Sequence, residues 1–214
     1  MTILALEFSS PQRSVALARD GHVLPEAAET GGRGTNAFGL IEQVLAAAKI
    51  GRREIECLTV GLGPGSYAGI RVALALAQGW RLATDVKLLG IGSTECLAAQ
   101  AHAEKLFGRV NVVIDAQRGE FYLARFEIST AGVKAVAPLQ IATAAEVASH
   151  ANAGEILIGP EAARWSRSAS ILFPSATRLA LLASSRDKFT GALEPIYLRA
   201  TNFIKAPPPR TLRA

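Results

Sequence analysis

Two carboxylates stand where acid, base or metal chemistry is most readily placed: Glu7, closing the apolar run ILALE, and Asp115, closing VNVVID. Each would be presented at the end of a buried strand, the end from which α/β sheets meet ligands. The structural alternative for both is a carboxylate that accepts hydrogen bonds from a neighbouring turn. Between them runs Gly61-Leu62-Gly63-Pro64-Gly65-Ser66, which invites a nucleotide reading. The dinucleotide fingerprint fails, because Ser66 stands where its third glycine is required. A Walker loop fails because no lysine occurs between Lys49 and Lys87, and a nucleophile elbow fails because Pro64 replaces its first glycine. Two readings survive. Free N–H groups at a helix start, with Arg71 one turn in, could hold an anion; alternatively the glycines permit a tight strand-to-helix turn that Ser66 caps.

Other chemistry finds less support. His22, His102 and His150 are far apart, and none has a second histidine three or four residues away, as a helical metal site needs. Cys57 and Cys96 are too few and too isolated for a disulfide framework or a thiolate site, and are read as reduced and structural. Tyr67, Trp80 and Tyr122 read as core or interface aromatics.

The elements that must position these residues follow from periodicity. Residues 2–8 read as a buried strand and 13–19 as a second. Asp20-Gly21 is a hairpin signal leading into a third strand over 22–29. After a glycine-rich loop at 30–35, Phe38, Ile41, Val44, Leu45 and Ala48 recur at helical spacing, with Gly51 expected as the C-cap. A strand over 57–62 enters the Gly-Pro-Gly-Ser turn, a helix apolar on nearly every face spans 66–83, and a strand over 86–91 leaves it. Ser93 is expected to cap a further helix over 94–106.

Three antiparallel strands followed by strand–helix crossovers predict a mixed sheet with helices on both faces. That is the ribonuclease-H-like arrangement of actin and the sugar kinases. The pattern then partly restarts, with strands over 110–116 and 121–128, a helix over 144–149, a short strand over 155–159 and a helix over 177–188. The expected organisation is α/β in two lobes: an actin-like lobe over 1–107, a smaller lobe over 108–200 as a reduced repeat, and a tail over 201–214.

Composition sets outer limits. With 214 residues, half of them apolar, the chain can build a substantial core. MTILALEF lacks the basic start and the cleavage site of a signal peptide. The apolar stretch 70–83 is broken by Arg71, Gln78 and Arg81 and is too short to cross a bilayer, so a cytoplasmic protein without membrane partners is expected. The net charge of +5 and pI near 9.6 suit a nucleic acid partner, yet the basic residues are scattered. Only the tail gathers them, with Lys205, Arg210 and Arg213 around three consecutive prolines; it reads as a disordered end or as a contact to RNA or a partner.

Four segments in order, ILALEFSS from Ile3, GLGPGSYAGIR from Gly61, DAQRGEFYLARF from Asp115 and EPIYLR from Glu194, resemble the TsaB (YeaZ) family. These bacterial proteins are required to make threonylcarbamoyladenosine in tRNA. The resemblance implies an actin-like fold and a non-catalytic role. Members bind the related catalytic subunit TsaD, which transfers the threonylcarbamoyl group, and assemble with the ATPase TsaE. They also form homodimers through the same surface, and meet tRNA through the complex. No cofactor or metal is implied for the chain itself, and a nucleotide at the partner junction is left open.

The family surface is built from its first two helices, here about 37–50 and 66–83. The residues it assigns to the interface are Phe38, Ile41, Leu45, Gly63, Pro64, Gly65, Ser66, Tyr67, Ile70, Arg71, Leu74, Ala75 and Gln78. Small residues Ala73, Ala75, Ala77 and Gly79 would let another helix approach, while Ile70, Leu74 and Trp80 would supply area. Two departures stand out. The first strand ends Glu7-Phe8-Ser9 where the family has Asp-Thr-Ser, and the first helix opens Gly34-Thr35-Asn36-Ala37-Phe38 where the family has a His-Ser-Glu-like run. The alternative classes are an enzyme of the same fold, either an ATP-dependent phosphotransferase or a glycoprotease-type metallopeptidase, and a tRNA-binding module.

Overall fold

The computed structural model describes residues 1–31, 34–166, 169–186 and 193–199. The tail over 201–214 and the end of the helix expected over 177–188 lie outside the described residues. Strand β1 (Thr2–Glu7) pairs antiparallel with β2 (Gln12–Arg19), and β2 with β3 (His22–Thr30). The β2–β3 hairpin turns at Asp20 and Gly21, both in the left-handed region at φ 52° and 79°. Helix α1 (Ala37–Ala48) carries the chain back so that β4 (Cys57–Gly61) runs parallel to β1. Helix α2 (Tyr67–Ala83) does the same for β5 (Lys87–Ile91). The resulting five-stranded order, β3-β2-β1-β4-β5, is the mixed sheet expected from the crossovers.

Helix α3 (Ser93–Ala103) leads to a second sheet of β6 (Gly108–Asp115), β7 (Glu120–Ser129), β8 (Gly132–Thr143) and, after α4 (Ala144–Asn152), β9 (Ile156–Ile158). Its order is β8-β7-β6-β9. Up to its fourth strand the second sheet repeats the connectivity of the first, the reduced repeat anticipated from the pattern. Helix α5 (Ala176–Ser184) ends the regular elements among the described residues.

Alternation along β1 sends Leu4 and Leu6 to one face and Ile3 and Ala5 to the other. The first face packs on Leu40, Ile41 and Val44 of α1 and on Ile70, Ala73 and Leu74 of α2. The second packs on Leu179, Ala180 and Ala183 of α5. Both faces are covered, so β1 is buried throughout and reads as a continuous apolar run. Helix α3 is shared: Cys96 joins the core of the first sheet, whereas Leu97, Ala98 and Ala101 join Val110 and Val112 of the second. On the second sheet's far face Val113, Phe121 and Leu123 meet Val147 of α4.

Several local expectations are corrected. The residue that ends α1 in the left-handed region is Lys49 at φ 55°, and Gly51, at φ −80°, instead begins a short 3-10 turn over Arg52–Glu54. Ser93 does not cap α3, since Gly92 holds the N-cap position; the Ser93 hydroxyl turns inward to Glu7. Strand β8 had no counterpart in the sequence reading, because an edge strand that is mostly exposed and carries Lys134 and Pro138 shows no clean alternation. Helix α5, expected in the second lobe, packs on β1 and β2 of the first, so the chain crosses back after residue 107. No helix among the described residues is long and apolar enough to cross a membrane.

Candidate functional site

The Gly-Pro-Gly-Ser turn is a seam between two backbones. Ser66 caps α2 by accepting from the Gly69 N–H at 3.3 Å, and its own N–H donates to the Ser9 carbonyl at 2.6 Å. Gly65 sits at φ 147°, and a Cβ there would lie 2.1 Å from the Ser9 carbonyl oxygen. One on Gly69 would lie 2.0 Å from the Phe8 carbonyl oxygen. The glycines therefore let α2 close against the β1–β2 turn. Of the two readings, the capped turn is the one built. Two of the N–H groups that an anion would use are already paired within the chain, and Arg71 lies over the Tyr67 ring at 4.7 Å with its guanidinium donating to the Tyr67 hydroxyl.

The carboxylates part company in their surroundings. Glu7 is fully buried; it accepts from the Ser9 N–H at 2.8 Å and from the Ser93 hydroxyl at 3.2 Å. Desolvation raises its pKa above the ordinary 4.5, against the pull of those donors. Asp115 is half-buried and accepts from the Gln117 N–H at 2.7 Å, while its own N–H donates to Glu161 at 3.0 Å. Glu161, which the sequence reading did not single out, is raised by burial as well. Asp115 and Glu161 face Ser9, Arg13, Ser66 and Tyr67 across a cleft of about 550 Å³ between the two sheets.

Among the described residues no three His, Cys, Asp or Glu side chains come together as a metal site. His150 pairs with Glu155 at 2.9 Å, and His102 packs edge-on to Phe107. Burial raises the Cys57 thiol to about 11 and raises Cys96 further, so both are poor nucleophiles at neutral pH.

The expected interface residues divide by helix face. Phe38 is 67% exposed and Tyr67 56%, and Arg71, Ala75 and Gln78 are also exposed. Gly65 and Ser66 are half-buried at the seam. Ile41, Leu45, Ile70 and Leu74, together with Gly63 and Pro64, are buried in this chain's own first lobe, so their side chains are not on the surface. The same holds for Ala73 and Ala77. Outward on α2, beside Tyr67, Arg71, Gln78 and Arg81, lie Ala68, Val72, Ala75, Gly79 and Leu82, with Leu82 91% exposed.

Sequence reasoning missed Val72 and Leu82. Their signal was present as a second helical stripe, 68-72-75-79-82, beside the buried one at 70-73-74-77. A helix apolar on both sides does not say which stripe faces the sheet. Gly79 adds a specific sign, because a Cβ there would meet nothing within 4 Å. A glycine in a helix interior costs about 1 kcal/mol relative to alanine, and nothing in this chain's packing requires it.

A sequence model of the family "TsaD: tRNA N6-adenosine threonylcarbamoyltransferase" matches residues 4–190. The chain is similar to the tRNA threonylcarbamoyladenosine biosynthesis protein TsaB of Escherichia coli, at 29% identity over 134 residues, covering 62% of this chain and 58% of that one. It is similar to TsaB of Bacillus subtilis at 27% over 142 residues, covering 65% and 61%. The match thus spans about three fifths of the length of these curated relatives. Among solved structures, YeaZ from Pseudomonas aeruginosa superposes with a TM-score of 0.78 at 24% identity, over 92% of this chain and 99% of that one, which establishes a shared fold. The chain belongs to the TsaD family and within it is similar to the TsaB (YeaZ) proteins.

Proposed function

We propose that this chain is a non-catalytic subunit in the synthesis of threonylcarbamoyladenosine on tRNA, working in the cytoplasm. It pairs through the outward face of α1 and α2 with a TsaD-type catalytic subunit and assembles with TsaE; the same face serves for pairing with a second copy. The names of the relatives carry the pathway, and the outward stripe on α2 carries the mode of action. Val72, Ala75, Gly79 and Leu82 are exposed and lack charge, and Gly79 leaves room for another helix to approach. Phe38 on α1 and Tyr67 supply aromatic area beside them. Removing such a surface from water contributes roughly 25 cal/mol per Å² before the costs of association.

Glu7 supports the non-catalytic reading, because a carboxylate sealed in the core is out of reach of a substrate. The test is reconstitution with TsaD, TsaE, ATP, threonylcarbamoyl-adenylate and tRNA. Product formation should depend on this chain, and turnover that is equal without it overturns the proposal. Ala75→Glu should abolish pairing in size exclusion and pull-down while leaving the melting curve intact. The cleft holding Asp115 and Glu161 favours a second reading, an enzyme of the same fold. That reading requires heat on titrating the isolated chain with ATP-Mg²⁺ or Zn²⁺, and a flat trace removes it.

A further inference from the structure

The segment 193–199 belongs to neither sheet, yet it touches both lobes. Leu193 is buried in the core of the first, and the Ile196 N–H donates to the Leu62 carbonyl at 2.9 Å, just ahead of the Gly-Pro-Gly-Ser turn. The Tyr197 ring lies 5.4 Å from that of Tyr67, the planes inclined by 30°. Arg199 then reaches the second lobe, donating to the Ala116 carbonyl at 3.2 Å and pairing with Glu120. Tyr67 thus contacts Arg71 and Tyr197 at once, so the outward face of α2 continues without a break onto this strap. Tyr197 is 43% and Leu198 40% exposed beside it.

We infer that the partner surface does not end at α2 but continues over Tyr197 and Leu198. A partner seated on α2 then also rests on the strap that ties the second lobe to the first. This rests on the proposed pairing with a TsaD-type subunit, and it commits to that same partner because Tyr67 is common to both parts. Tyrosine suits the role: it buries a large amphipathic area with few torsions to freeze. Tyr197 is already held by the Ile196 backbone bond before it and the Arg199 contacts after it, so little order remains to be imposed on binding. Arg199 is a positioning residue, acting through Tyr197.

Calorimetric titration of the purified full-length chain against a TsaD-type subunit tests this. Tyr197→Ala should weaken binding about tenfold, as truncation of an aromatic anchor does. Leu198→Ser should weaken it severalfold, and gives the reading if Tyr197→Ala fails to fold. Arg199→Ala should weaken binding severalfold with melting nearly unchanged, and Arg199→Lys should recover part of the loss; unchanged affinity removes its positioning role. If Tyr197→Ala and Leu198→Ser bind like the parent while Ala75→Glu does not, the strap inference is overturned and the α2 reading stands. If Ala75→Glu also binds like the parent, both fall.

Discussion

The two lobes share one plan up to the fourth strand and differ in what surrounds the end of the first. In each, three antiparallel strands are followed by a helix and a parallel strand, with a carboxylate where the first strand ends, Glu7 or Asp115. In each, a Gly-Pro pair follows the fourth strand, Gly63-Pro64 or Gly159-Pro160. In the first lobe this turn is pressed onto the backbone of Phe8 and Ser9, and Glu7 is enclosed behind it. In the second lobe Gly159 is likewise pressed onto the first strand, a Cβ there lying 2.3 Å from the Val113 carbonyl oxygen, but the Asp115 N–H is met by a side chain, Glu161, and both carboxylates border the cleft. The same topology thus encloses the strand-end carboxylate in one lobe and leaves it at the cleft in the other. The seam fixes α2 on its sheet, which suits a helix whose far side is proposed to receive a partner.

The largest effect that would break this contrast is expected at the seam. Gly69→Ala places a Cβ 2.0 Å from the Phe8 carbonyl oxygen, forcing α2 off β1. Overpacking of this kind costs about 3 kcal/mol, more than the roughly 1 kcal/mol by which alanine favours a helix. Urea denaturation should show a lower midpoint and pairing should weaken with it; an unchanged midpoint would mean the seam is loose.

Next in size is the pH response of Glu7. Burial raises its carboxyl above 4.5, so above that pH the folded chain keeps a proton that the unfolded chain releases. Its contribution to stability is therefore full below the unfolded value and is lost as pH rises through the folded one. Thermal melts from pH 4 upward should fall more steeply for the parent than for Glu7→Gln, whose amide does not titrate. Parallel curves would refute an enclosed carboxyl. The smallest effect is expected at the counterpart: Asp115→Asn keeps an acceptor for the Gln117 N–H and should change stability by only about 0.5 kcal/mol in the same melts. A loss as large as that of Gly69→Ala would erase the difference between the lobes.

Much of the fold was legible because its signals are local. The run ILALE, the Asp20-Gly21 turn and the spacing of Phe38, Ile41, Val44, Leu45 and Ala48 each report a period or a turn without reference to distant residues. Strand β8 was illegible because an exposed edge is under little pressure to alternate. Helix α5 was legible as a helix but not as part of the first lobe, since its small residues Ala176, Ala180 and Ala183 fit any close-packed sheet. The motif GLGPGSYAGIR located the candidate site but not which side of α2 faces outward. Gly65 and Gly69 are explained by the nearness of Ser9 and Phe8, residues more than fifty positions away.

By itself, then, the sequence determined the order of strands and helices apart from β8, the turn that starts α2, the absence of paired histidines and the resemblance to TsaB. Each of these is a property of residue type and spacing along the chain. Only the tertiary structure decided that Ile70 and Leu74 face inward while Val72, Ala75 and Leu82 face outward, that Glu7 is sealed and Asp115 is not, and that 193–199 joins the lobes beside Tyr67. The reason is common to all three. A helix apolar on both sides, a strand-end carboxylate and a short polar–apolar segment are compatible with several environments, and which one they occupy is settled by what the rest of the chain packs against them.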